Sequence, residues 1–90
     1  MNLYEIGSFC KSKAGHDKDE IFIILREAGE YVYLIDGCRR KIANPKRKKK
    51  KHIEPTSYIY NEVKDKIKES VICDCEVRKF IRRYKMEVMN

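Results

Sequence analysis

Two apolar runs, IFIIL at residues 21–25 and YVYLI at 31–35, are separated by only five residues. Each is too short for a stable helix and rich in β-branched and aromatic side chains, so each predicts a buried strand. EAGE at 27–30 predicts the turn between them. Asp36-Gly37, directly after the second run, is the strongest hairpin signal in the chain, because both central positions of such a turn need positive φ. CRRKIAN then predicts a return strand that stops at Pro45, a residue that cannot donate to a sheet ladder. Upstream, GSFCKSK predicts a further short strand, followed by the polar loop AGHDKDE. Four short strands at intervals of about ten residues point to a mainly β fold, a small antiparallel barrel.

Beyond residue 53 the pattern changes. Pro55-Thr56-Ser57 predicts a helix start with Thr56 or Ser57 as cap, and Ile59, Val63 and Ile67 recur at a spacing of four. Asp74 predicts a second cap. Val77, Phe80, Ile81 and Tyr84 follow at i, i+3, i+4 and i+7, one face of a helix, with Arg78, Lys79, Arg82 and Arg83 on the other. The expected organisation is a β unit over 1–53 ending in a basic strip, and a two-helix extension over 54–90 packed on it. Ninety residues form one domain with a thin core, too small for a large enzyme cleft.

The net charge is +7, and it is concentrated. Residues 37–53 hold nine cations and no acid, Arg39 to Lys41 and the unbroken run Lys46 to Lys51, while the rest of the chain sums to −2. A nearly neutral body with one cationic strip is the expected footprint of a phosphate-binding segment, nucleic acid before anionic lipid. Six adjacent cations repel each other, so the strip is expected to be mobile when free.

Other function classes find little support. No Gly-rich phosphate loop, nucleophile elbow or His-carboxylate constellation is present, so no enzyme is expected. Cys73 and Cys75 stand as C-x-C, short of zinc-site spacing, and His16 and His52 have no partner in sequence; no metal or other cofactor is expected. Cys10 and Cys38 read as half-buried small hydrophobes. No segment has signal-peptide or membrane-spanning character, which places the chain in the cytoplasm with reduced thiols.

Residues 6–52 resemble the KOW-domain RNA-binding proteins, a family related to large-subunit ribosomal proteins of archaea and eukaryotes. The matching parts are SKAGHDKD at 12–19, the strands IFII and YVYLI, DGCRRKIANPK at 36–46, and the lysine run ending in His52. The resemblance implies an SH3-like five-stranded barrel that binds ribosomal RNA or the large ribosomal subunit, with no membrane or small-molecule partner, as a monomer when free. It departs at two positions, His16 in place of the family's arginine and Asp19 in place of a second glycine. The second puts an acid in the loop expected to face phosphate.

The expected RNA contacts are therefore led by Arg39, Arg40, Lys41, Lys46, Arg47, Lys48, Lys49, Lys50, Lys51 and His52. Lys11, Lys13, Gly15, His16 and Lys18 of the first loop support them, and the helical face of Arg78, Lys79, Arg82 and Arg83, led by Arg82 and Arg83, offers either a second contact or a plain solvated face. On a return strand Arg39 and Lys41 would share one face and Arg40 the other. Tyr31 and Tyr33 also share a face. Exposed, they could stack on unpaired bases; packing in the core or under a helix is the simpler reading. The competing class is an SH3-like protein-interaction module that grips an acidic partner, though such modules rely on Trp-lined grooves and this chain has no Trp.

Overall fold

The computed structural model describes residues 2–89. Five antiparallel strands form one sheet: β1 (Ser8–Ser12), β2 (Ile21–Ala28), β3 (Tyr31–Ile35), β4 (Lys46–Lys49) and β5 (Ile53–Ile59), in the order β4-β3-β2-β1-β5. Two helices follow, α1 (Asn61–Lys68) and α2 (Asp74–Tyr84), with a π-helical turn over Lys85–Met89. No helix among the described residues is long and apolar enough to cross a membrane.

The apolar runs form strands as expected, because their alternate side chains bury on opposite sides of the sheet. Ile24, Val32 and Leu34 join Cys10, Phe22 and Ile53 in one core on the inner face. Phe9, Ile21, Ile23 and Ile35 point to the other face and meet Val63, Val77, Phe80, Ile81 and Tyr84 from the helices. The predicted apolar stripe of α2 is thus fully used, and Tyr84 stacks on Phe9 with ring centroids 4.3 Å apart.

Three local expectations are overturned. CRRKIAN is not a strand: residues 36–45 form an irregular loop, and the return strand is the lysine run itself. Arg39, Arg40 and Lys41 therefore do not alternate across a sheet. Pro55-Thr56-Ser57 starts no helix but lies inside β5, where Pro55 sits opposite Cys10; β5 is an edge strand, which tolerates a residue without an N–H. The sheet thus runs across the expected 53/54 boundary. The caps also move, to Tyr60 for α1 and Cys73 for α2. Thr56 instead donates through Oγ1 to the Phe9 carbonyl at 2.7 Å, where the β1–β5 register slips.

The sheet is not closed, since β4 and β5 do not pair. It is strongly coiled. β4 lies three strand positions from β1, about 14 Å away in a flat sheet, more than a lysine side chain spans. Yet Lys48 Nζ on β4 donates to Ser12 Oγ at the end of β1 and to the Ala14 carbonyl at 2.7 Å. Coiling of this degree encloses the inner core.

The 36–45 loop is held against α2 at close range. Gly37 has φ +78°, and a Cβ there would lie 2.4 Å from the Asp74 carbonyl oxygen. Gly37→Ala meets both an unfavourable backbone conformation and a backbone atom. The expected loss is at least about 2 kcal/mol, about 10 °C in Tm for a domain of this size. A thermal melt with unchanged Tm would contradict the close packing.

Candidate nucleic-acid interface

The six-cation run is ordered, and its residues divide by parity. On β4 the even residues Lys46 and Lys48 stand opposite Leu34 and Val32 and point to the inner face. Lys48 is the innermost, 9% exposed. Its ammonium lies 2.5 Å from Asp17 Oδ1, and Lys46 Nζ lies 3.2 Å from Oδ2 of the same carboxylate. That second contact is within ion-pair range but off the hydrogen-bond direction, leaving Oδ2 without a hydrogen bond. Lys50, in the 3₁₀ turn Lys50–His52 between β4 and β5, pairs with Glu27 and lies over the Tyr4 ring at 4.8 Å. The odd residues Arg47, Lys49 and Lys51 are exposed and form no ion pair among the described residues. The expectation of a mobile strip is corrected: the run is built into β4 and the 3₁₀ turn after it, three of its charges are satisfied internally, the strand pleat presents Arg47 and Lys49 outward, and Lys51 is exposed on the turn.

Asp17 sits in the β1–β2 loop, turned back by Gly15 (φ +90°). The Ser12 hydroxyl donates to Oδ1 at 2.7 Å. Burial alone would raise the Asp17 carboxyl. Hydrogen bonds from Lys48 and Ser12 and the adjacent Lys46 charge outweigh it and hold the group well below the usual carboxylate range. A Cβ on Gly15 would lie 3.6 Å from Asp17 Oδ1 and 3.8 Å from Lys48 Nζ. The glycine therefore lies directly over the buried pair.

Arg39 and Arg40 are placed by a different set of bonds. Asp36 Oδ1 accepts from the backbone N–H of Cys38 and of Arg40, at 2.9 and 2.8 Å. Asp74 Oδ1 accepts from Ile42 N–H at 2.8 Å, and Arg78 donates to the Gly37 carbonyl at 2.5 Å. The loop is therefore tied to itself and to the first turns of α2. It projects Arg39 between two adjoining hollows. One, of about 220 Å³, is bordered by His16, Glu20, Arg39, Arg40 and Lys46. The other, of about 350 Å³, is bordered by Glu20, Arg39, Arg78, Arg82 and Lys85. Together they make a track from the β1–β2 loop to the end of α2 with six cations, Arg39, Arg40, Lys46, Arg78, Arg82 and Lys85, and three acids, Asp17, Glu20 and Asp36.

The expected contacts are only partly brought together. His16, Arg39, Arg40, Lys46 and Arg82 converge on this track. Lys49, Lys50 and Lys51 border a separate hollow at the Gly29-Glu30 turn. Lys11 pairs with exposed Asp19 at 3.7 Å; Lys13, Lys18 and Lys41 are exposed, and His52 is half-buried. Arg83 turns away from Arg82, lying over the Tyr60 ring at 4.4 Å and bonding Glu87. Arg78, from the helical face, joins the track four residues before Arg82, and Lys85 joins it although the sequence reading omits it. Cys38, expected half-buried, is exposed, whereas burial pushes the Cys10 thiol up to about 12. No group of three or more His, Cys, Asp or Glu is placed to hold a metal ion among the described residues.

No protein-family model matches this chain, and no curated protein matches it either.

The Asp17 carboxylate stabilises the fold only while ionised. Its folded pKa is depressed, so its contribution is complete above the unfolded value of about 3.9 and is lost as pH falls through the folded one. Asp17→Asn leaves Lys48 buried without a counter-charge, for an expected loss of about 3 kcal/mol at pH 7. Denaturant titrations of both proteins should show the gap narrowing below about pH 4. A gap that stays constant from neutral to acid pH would contradict the ion-pair reading.

Proposed function

We propose that this protein is a non-enzymatic, cytoplasmic RNA-binding domain of the SH3-like KOW type, which grips structured, ribosomal RNA by charge and shape. The observation that carries the reading is the cationic track. Arg39 stands at its centre, with His16, Arg40 and Lys46 on one side and Arg78, Arg82 and Lys85 on the other. Cations from a loop, a strand and a helix converge there, six against the three acids Asp17, Glu20 and Asp36. Arginine suits this position because its planar fork takes two phosphate oxygens at once. The coiled sheet and the 3₁₀ turn that carries the chain from β4 to β5 support the SH3-like reading.

The odd residues of the strip extend the positive surface along the β4 edge. Contacts of this kind supply affinity with little sequence information, so selection rests on the spacing of phosphates in a folded RNA.

The number of free cations sets the salt dependence. Arg39, Arg40, Arg82, Lys85, Arg47, Lys49 and Lys51 allow about seven phosphate contacts, so affinity for ribosomal RNA should fall about 10⁴-fold between 50 and 200 mM salt. Replacing Arg47, Lys49 and Lys51 by Gln leaves the inner pairs intact. It should lower the slope of log K against log salt by about three. Fluorescence anisotropy titrations read both quantities. A wild-type affinity nearly independent of salt would overturn the electrostatic reading and favour an acidic protein partner held by shape.

A further inference from the structure

The half-buried tyrosines of β3 lie outside the track, on the face of the sheet that carries the helices but beyond their reach. Antiparallel pairing puts Tyr33 in one row with Arg26 on β2 and Arg47 on β4, and Tyr31 in the next row with Lys49. The guanidinium of Arg26 lies over the Tyr33 ring at 4.2 Å, and that of Arg47 over the Tyr31 ring at 4.5 Å. Neither arginine, nor Lys49, forms an ion pair among the described residues. These cations therefore have no carboxylate partner among the described residues, and each guanidinium is held over a ring.

We propose that this face is a second binding site, a platform on which unpaired RNA bases stack on the guanidinium planes of Arg26 and Arg47. The proposal rests on the RNA reading above and adds a substrate class to it, a single-stranded segment beside the structured element. A guanidinium already resting on a tyrosine loses little further freedom when a base covers its other side, and Lys49 stands ready for the phosphate. Spacing selects for unpaired nucleotides. Tyr31 and Tyr33 lie side by side on the sheet, about 6.7 Å apart along the strand, so two bases that cover both platforms cannot also be stacked on each other. Only a strand whose bases are splayed reaches both planes.

The test compares a blunt RNA hairpin with the same hairpin bearing a short single-stranded tail that contains 2-aminopurine. Wild type should bind the tailed RNA about ten-fold or more tighter and alter the tail fluorescence by stacking. The variant Arg26→Lys, at a position outside the track and the strip, keeps the charge and removes the guanidinium over Tyr33; a thermal melt confirms its fold. It should hold the blunt hairpin as before and show a diminished preference and fluorescence change. Equal binding of the two RNAs by wild type, or an undiminished preference in the variant, overturns the platform and leaves the RNA reading standing. Failure of wild type to bind either RNA overturns both.

Discussion

The contact between Lys48 and Asp17 ties the edge strand β4 to the β1–β2 loop across the sheet's curl. A strand three places from β1 is brought within hydrogen-bonding distance of it through Lys48 and Ser12, and the inner core of Cys10, Phe22, Ile24, Val32, Leu34 and Ile53 closes beneath that contact. A buried pair of this kind adds little net stability compared with apolar residues of the same shape, because both charges must be desolvated. What it adds is specificity. Removing either partner leaves a charge in the interior, so alternative registers of β4 that would bury another residue of the run are penalised.

Register matters unusually here. The run from Lys46 to Lys51 is nearly uniform in chemistry, and a strand of identical side chains can slip with little cost in pattern. Asp17 and Glu27 break the degeneracy by accepting Lys46, Lys48 and Lys50 and no others. The pleat then delivers Arg47 and Lys49 to the opposite side. One segment thus serves two purposes. Its even residues hold the fold, and its odd residues form an exposed cationic edge, which also discourages pairing with another chain.

Much of the fold can be read from the sequence where the signal is local. The helix face of Val77, Phe80, Ile81 and Tyr84 follows from spacing alone, and so do the strands at 21–25 and 31–35. The errors come from non-local causes. Lysine has low strand propensity, so the run reads as a tail until its partners on β3 are known. Pro55 beside Thr56 and Ser57 resembles a helix start, and only its place at a sheet edge makes it a strand residue. Arg39 and Arg40 are legible as candidates by charge. Their position depends on Asp36, Asp74 and Arg78, and Asp74 and Arg78 are more than thirty residues distant. Asp17 gives no sequence signal beyond lying two residues after a loop glycine. Its role appears only when the sheet coils.

The division of the strip by parity can be measured without any partner. Limited acylation of the folded protein with an amine-reactive ester, read residue by residue by mass spectrometry, reports the accessibility of each lysine ammonium. Lys49 and Lys51 should react as fast as they do in the denatured chain, Lys46 and Lys50 should lag, and Lys48 should be protected until the protein unfolds. Uniform labelling across the five lysines of the run in the folded protein would contradict the alternation and, with it, the coiled sheet that the Lys48–Asp17 contact secures.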